Sequence, residues 1–142
     1  MKKQELKLVL DTNVWISGLL WGGKPASLVK AAEDRKVSIF ISEEIVAEIS
    51  QVLVYPKIEK IYRSTLNRQD LVEQVLELVK FTKVANKISV IQEHPSDNKF
   101  LECAIAAKAD FLVSGDKHLL KVVSYEKISI LSVNDFLKLL EK

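Results

Sequence analysis

Five short apolar runs, each bounded by charge or a turn residue, alternate along this chain with segments of helical periodicity. Parallel strands need long crossover connections, and helices usually supply them. Alternation of this kind restricts the fold to a parallel sheet with helices on both faces. The runs lie at 6–10, 37–41, 88–91, 111–114 and 128–131. Helices are expected over 14–20, 25–35, from 43 onward, 56–62, 67–80, 96–109, 116–122 and 133–140. Ser42 and Ser132 stand as caps, and Pro25 and Pro56 as helix openers. The reading is an α/β/α sandwich on a five-stranded parallel sheet, with residues 1–142 in one domain. At that length a core forms without disulfides or a structural metal.

In such folds ligands gather outside the carboxyl ends of the strands, so the strand-to-helix junctions are where chemistry is sought. Asp11 directly follows the first run, with Thr12 and Asn13 beside it. An aspartate alone there reads as a helix cap. The Asp-Thr-Asn cluster adds short polar groups able to orient a carboxylate by hydrogen bonds. At about 100° per residue, the helix after the second run carries Ile45, Ile49, Val52 and Leu53 on one stripe. Glu48 falls at the edge of that stripe, while Glu44 turns further out and reads as solvated. Glu48 reads equally as a border residue or as a carboxylate aimed at the sheet.

Asp97 is in line with Leu101 and Ala104, on the inward face of its helix. Attraction to the helix dipole explains its position along the helix but not its inward face. Asn98 turns partly aside. Asp116 follows Ser114 and Gly115, the glycine permitting a sharp turn out of the strand, and taken alone it is a helix cap. Ser114 either bonds within the site or ends the strand.

Four carboxylates at one sheet edge are another matter. Two of them about 4 Å apart repel by roughly 4 kcal/mol at an effective dielectric near 20. The cluster needs protons or a cation. Oxygen-only ligands select Mg²⁺ or Mn²⁺. A zinc pattern is absent from the sequence, with His94 and His118 far apart and Cys103 alone. Magnesium with few protein ligands suits phosphodiester hydrolysis, by activating water and neutralising phosphate charge.

The segments LVLDTNVWISGLLWGG, SEEIVAEISQVLVYPK and PSDNKFLECAIAAKADFLVSGDKHLL, with the terminal ISILSVNDFLKLL, resemble PIN domains. In particular they resemble the bacterial and archaeal VapC-like group, the toxin components of toxin–antitoxin pairs. The resemblance covers nearly the whole chain. It implies Mg²⁺- or Mn²⁺-dependent endoribonuclease activity, an RNA substrate, a small antitoxin partner and a homodimer. It places the family's four acids on Asp11, Glu48, Asp97 and Asp116, and its polar residue before the last acid on Ser114. Where related chains often carry a further acid, this one has His118, which weakens the case for a second metal site.

Lys24, Lys99, Lys117 and His118 lie near the junctions as possible RNA contacts, with solvated side chains the simpler reading for each. Trp15 reads as packing, and Trp21 beside Gly22 and Gly23 as the better RNA or protein contact. Cys103, in an alanine-rich stretch, reads as a small buried residue. It fits a reducing, cytoplasmic setting. The N-terminal apolar run is too short for a secretory segment, and no segment reaches membrane-spanning length. The formal net charge of +2 is too mild to point to nucleic acid by itself. A haloacid-dehalogenase-like site needs a second Asp where Asn13 stands, and a phosphoryl-accepting receiver needs adjacent acids where Leu10 stands. The non-enzymatic alternative is an inactive PIN-fold module that binds RNA or a partner.

Overall fold

The sheet grows in both directions from β1 (Leu6–Leu10), whose residues Leu8 to Leu10 are fully buried. The structure is a computed structural model that describes residues 5–141. On one side of β1 lies β2 (Val37–Ile41), with Leu8 opposite Ile39, and beyond it β3 (Val79–Phe81). On the other side lie β4 (Phe111–Val113) and β6 (Ile128–Leu131), all in parallel. A two-residue strand, β5 (Ser124–Tyr125), adds antiparallel to β6. The order is β3-β2-β1-β4-β6-β5.

Helices α1 (Thr12–Leu20) and α2 (Gly23–Glu33) connect β1 to β2. They pack closely because Gly18 has no side chain: a Cβ there would meet the Pro25 carbonyl and Val29 at 3.0 Å. Then come α3 (Glu43–Val52), α4 (Pro56–Tyr62) and α5 (Arg68–Leu78). After β3, a 3-10 turn at Pro95–Asp97 opens α6 (Asn98–Ala107), which lies across β1, β2 and β4. The short α7 (Lys117–Leu120) and α8 (Val133–Leu140) complete the chain. Ser42 and Ser132 cap α3 and α8 as expected, accepting from Ile45 N and Asp135 N. No helix among the described residues is long and apolar enough to cross a membrane.

Three strand assignments change. The run at 88–91 forms no strand, although it is apolar. Its backbone donors are taken by side chains of α6: Ile88 N donates to Glu102 Oε2 at 2.9 Å, and Val90 N and Ile91 N donate to Asn98 Oδ1 at 3.1 and 2.9 Å. The third parallel strand is instead Val79–Phe81, so the helix expected over 67–80 stops at Leu78. β5 was not expected because the turn joining it to β6 lacks the usual Asn-Gly pair. Glu126 and Lys127 adopt the left-handed φ values of 50° and 70° that such a turn requires.

Candidate metal centre

β1 and β4 are neighbours, yet the chain leaves them towards opposite ends of the sheet, through β2 and through β6. This is the topological switch point, where the crossovers diverge and leave a crevice at the carboxyl edge. Asp11 leaves β1 there, and its N–H extends the ladder to Val113 O at 3.1 Å. Its carboxylate is buried. Oδ1 accepts from Val14 N at 2.9 Å, capping α1, and Oδ2 accepts from the Ser114 hydroxyl. Burial raises the Asp11 pKa; bonds from Ser114, Val14 and Gly115 oppose this, and the charge of Asp116 adds to the rise.

The Ser114 oxygen also accepts from Asp116 N at 2.9 Å, so one buried hydroxyl ties the ends of β1 and β4 together. Asp116 caps α7, its Oδ1 accepting from His118 N at 2.7 Å. Asp97, at the start of α6, is buried beside it. Desolvation first, and then the charge of Asp116, push the Asp97 pKa up to about 6, against a lowering by His94. Asp97 Oδ2 receives no hydrogen bond among the described residues, although His94 Nδ1 lies 3.1 Å away. Ligand atoms of His94, Asp97 and Asp116 all lie within 4.8 Å of one another. An orphaned, buried carboxylate oxygen within such a set fits a cation.

Glu48 is held separately. It accepts from Thr12 Oγ1 at 2.5 Å and pairs with the ammonium of Lys99. Thr12 adjoins Asp11, so Glu48 is tied to the same corner of the sheet. The helical projection of α3 separates the two glutamates as expected: Glu48 is 26% exposed, whereas Glu44 is 47% exposed and pairs with Lys87. The residues expected to orient Asp11 divide. Ser114 bonds it directly and Thr12 holds Glu48, whereas Asn13 is exposed and makes no side-chain hydrogen bond among the described residues.

Lys99, read as solvated, is only 16% exposed and is ion-paired. Lys24 bonds Asn134 at the start of α8, and Lys117 is exposed. His118 is half-buried, and its ring stacks on that of His94, with centroids 5.5 Å apart and planes 3° from parallel. Distance in sequence therefore did not separate the two histidines. The one local signal for His94 was its place three residues before Asp97, across the opening turn of α6. Trp15 is buried, Trp21 is exposed, and the buried Cys103 thiol is pushed up to about 12 by desolvation.

Asn98, expected to turn partly aside, is instead a buried clamp. Besides its two accepted bonds, its amide donates to Ile91 O at 2.9 Å and Pro95 O at 3.0 Å. This holds the segment carrying His94 against α6. Asn98→Ala strands those backbone groups, each unsatisfied one costing about 1–3 kcal/mol. Urea denaturation is expected to show a loss of about 3 kcal/mol or more.

A family model described as PIN domain matches residues 7–118. An uncharacterized protein of Methanocaldococcus jannaschii is 30% identical over 140 residues, covering 98% of this chain and 84% of that protein. Among solved structures, VapBC2 of Rickettsia felis, bound to a DNA fragment from their promoter, superposes with a TM-score of 0.60. That likeness spans 89% of this chain and 98% of the other at 17% identity, so it bears on the fold alone.

Proposed function

The chain belongs to the PIN-domain family, and from that premise we propose that it is a Mg²⁺- or Mn²⁺-dependent endoribonuclease whose site is Asp11, Glu48, Asp97 and Asp116. One observation supports the reading: the charge of Asp116 bears on both Asp11 and Asp97, and the buried Asp97 Oδ2 receives no hydrogen bond among the described residues. Asp97 and Asp116 would hold the cation, with Asp11 kept in place by Ser114 and Glu48 by Thr12. When bound, the ion activates a water and offsets charge on the scissile phosphate. Lys99 offsets the charge of Glu48. Lys24, Lys117 and His118 are the groups proposed to contact RNA phosphates. The whole chain is read as one PIN unit, acting as the toxin of a toxin–antitoxin pair, with a small antitoxin partner and a homodimeric state.

The test is cleavage of single-stranded or looped RNA. Mn²⁺ or Mg²⁺ is expected to support it and EDTA to stop it; undiminished cleavage in EDTA would remove the metal mechanism. Metal binding without any cleavage would favour the inactive binding module. In the same assay Glu48→Gln is expected to lose about tenfold to a hundredfold, the range for groups that shape a metal site. Glu44→Gln is expected to be near neutral, since its only described partner is the exposed Lys87. Light scattering that gives a monomer mass at high protein concentration would remove the dimer.

A further inference from the structure

An oxygen-only site leaves His94 without a role, yet among the described residues this histidine faces the buried carboxylate oxygen that receives no hydrogen bond. The geometry points to His94 as a nitrogen ligand of the cation held by Asp97 and Asp116. This makes the centre a histidine–carboxylate site that takes Mn²⁺ or another first-row transition cation in preference to Mg²⁺. The inference rests on the metal-site reading above and narrows it.

Three features support it. Ligands at right angles on one cation, each bonded at about 2.1 Å, stand about 3.0 Å apart. His94 Nδ1 and Asp97 Oδ2 are 3.1 Å apart, already at that spacing. Asp97 is also buried, with its side chain 9% exposed, so an unmet oxygen there is costly unless something positive reaches it.

Second, the two ligands are held at a constant offset. Asp97 N donates to His94 O at 3.0 Å, and Pro95 restricts the turn between them. Ser96 Oγ, 3.3 Å from His94 Nδ1, is the competing partner of that nitrogen.

Third, the ring is braced. His94 stacks flat on His118, whose Nδ1 lies 3.3 Å from Glu93, and Lys121 lies 3.3 Å from the same carboxylate. His118 thus faces Glu93 and supports the ring of His94. Imidazole suits transition cations, whereas magnesium prefers oxygen and gives up water reluctantly.

The experiment is pulsed electron paramagnetic resonance on the Mn²⁺-loaded protein, with titration of each metal alone as the second readout. Wild type is expected to show ¹⁴N modulation from a directly bound imidazole. His118→Ala is expected to keep it and His94→Ala to lose it. His94 is exposed, so its removal leaves the core untouched. His94→Ala is also expected to weaken Mn²⁺ binding at least about tenfold, the low end for groups that only orient a ligand, with Mg²⁺ binding little changed. Bound Mn²⁺ without ¹⁴N modulation in wild type, or modulation that survives His94→Ala, overturns the inference and leaves a carboxylate site with an ion-paired histidine. Absence of Mn²⁺ binding to wild type removes the metal site itself, and this inference with it.

Discussion

Asp11→Asn is expected to fold as the wild type does and to lose RNA cleavage by more than about 100-fold, beyond the range for groups that merely orient a ligand. The fold should survive because asparagine caps a helix about as well as aspartate, so the bond from Val14 N persists. The Ser114 hydroxyl can rotate to accept from the new amide. Neutralisation also removes a buried charge that desolvation disfavours. What disappears is the negative charge at the switch point, next to Asp116. Circular dichroism and a cleavage assay on the same preparation decide the outcome. Retained activity with an intact fold would mean that the site lies elsewhere.

The second large effect concerns metal-free stability. Asp97→Asn and Asp116→Asn are each expected to melt at or above the wild-type temperature in EDTA at pH 8, and to lose most of the Mn²⁺-induced stabilisation. Asp97 has its folded-state pKa raised from 3.8 to about 6, so the folded chain holds this proton more tightly than the unfolded chain does. Its contribution is therefore fully present below about pH 4 and is lost as pH rises through about 6. At pH 8 without metal the wild type carries the whole penalty, at most roughly 3 kcal/mol for such a shift. Asp97→Asn carries none of it. Asp116→Asn removes the neighbouring charge that adds to it. At pH 4 the advantage of Asp97→Asn should vanish, since Asp97 is protonated in the wild type as well.

Added Mn²⁺ stabilises any folded state that binds it alone, so the wild type should gain the most. If the two residues are only helix caps, asparagine replaces them at little cost and Mn²⁺ stabilises all three proteins alike. Thermal melts with and without Mn²⁺ separate these outcomes. An undiminished Mn²⁺ shift in both variants would take Asp97 and Asp116 out of the site.

Features carried by local sequence were legible. Runs at β1, β2, β4 and β6 are buried apolar segments between turn residues, and their strand character needs no knowledge of a partner. Helix caps at Asp11, Ser42, Asp116 and Ser132 follow from short polar side chains next to helical periodicity. The four acids were placed by the rule that a parallel sheet sends its strand ends to one edge and by the projection of α3 and α6, which gives the face each acid occupies.

Non-local pairing was decided only in the tertiary structure. The segment at 88–91 has the composition of a strand, but a strand exists only if another backbone accepts its hydrogen bonds. Here side chains of Asn98 and Glu102, brought in by α6, took them first. That clamp also sets His94 against Asp97, a contact no periodicity encodes because it runs through an irregular turn. Lys99 shows the same division: its sequence neighbourhood makes it an ordinary surface charge, while the packing of α6 near α3 makes it the partner of Glu48. The layered fold, and the placing of these acids at strand ends and helix starts, were readable from short-range pattern. Which groups meet those acids depended on chain segments far apart in sequence, and only their packing brought them within a few ångströms.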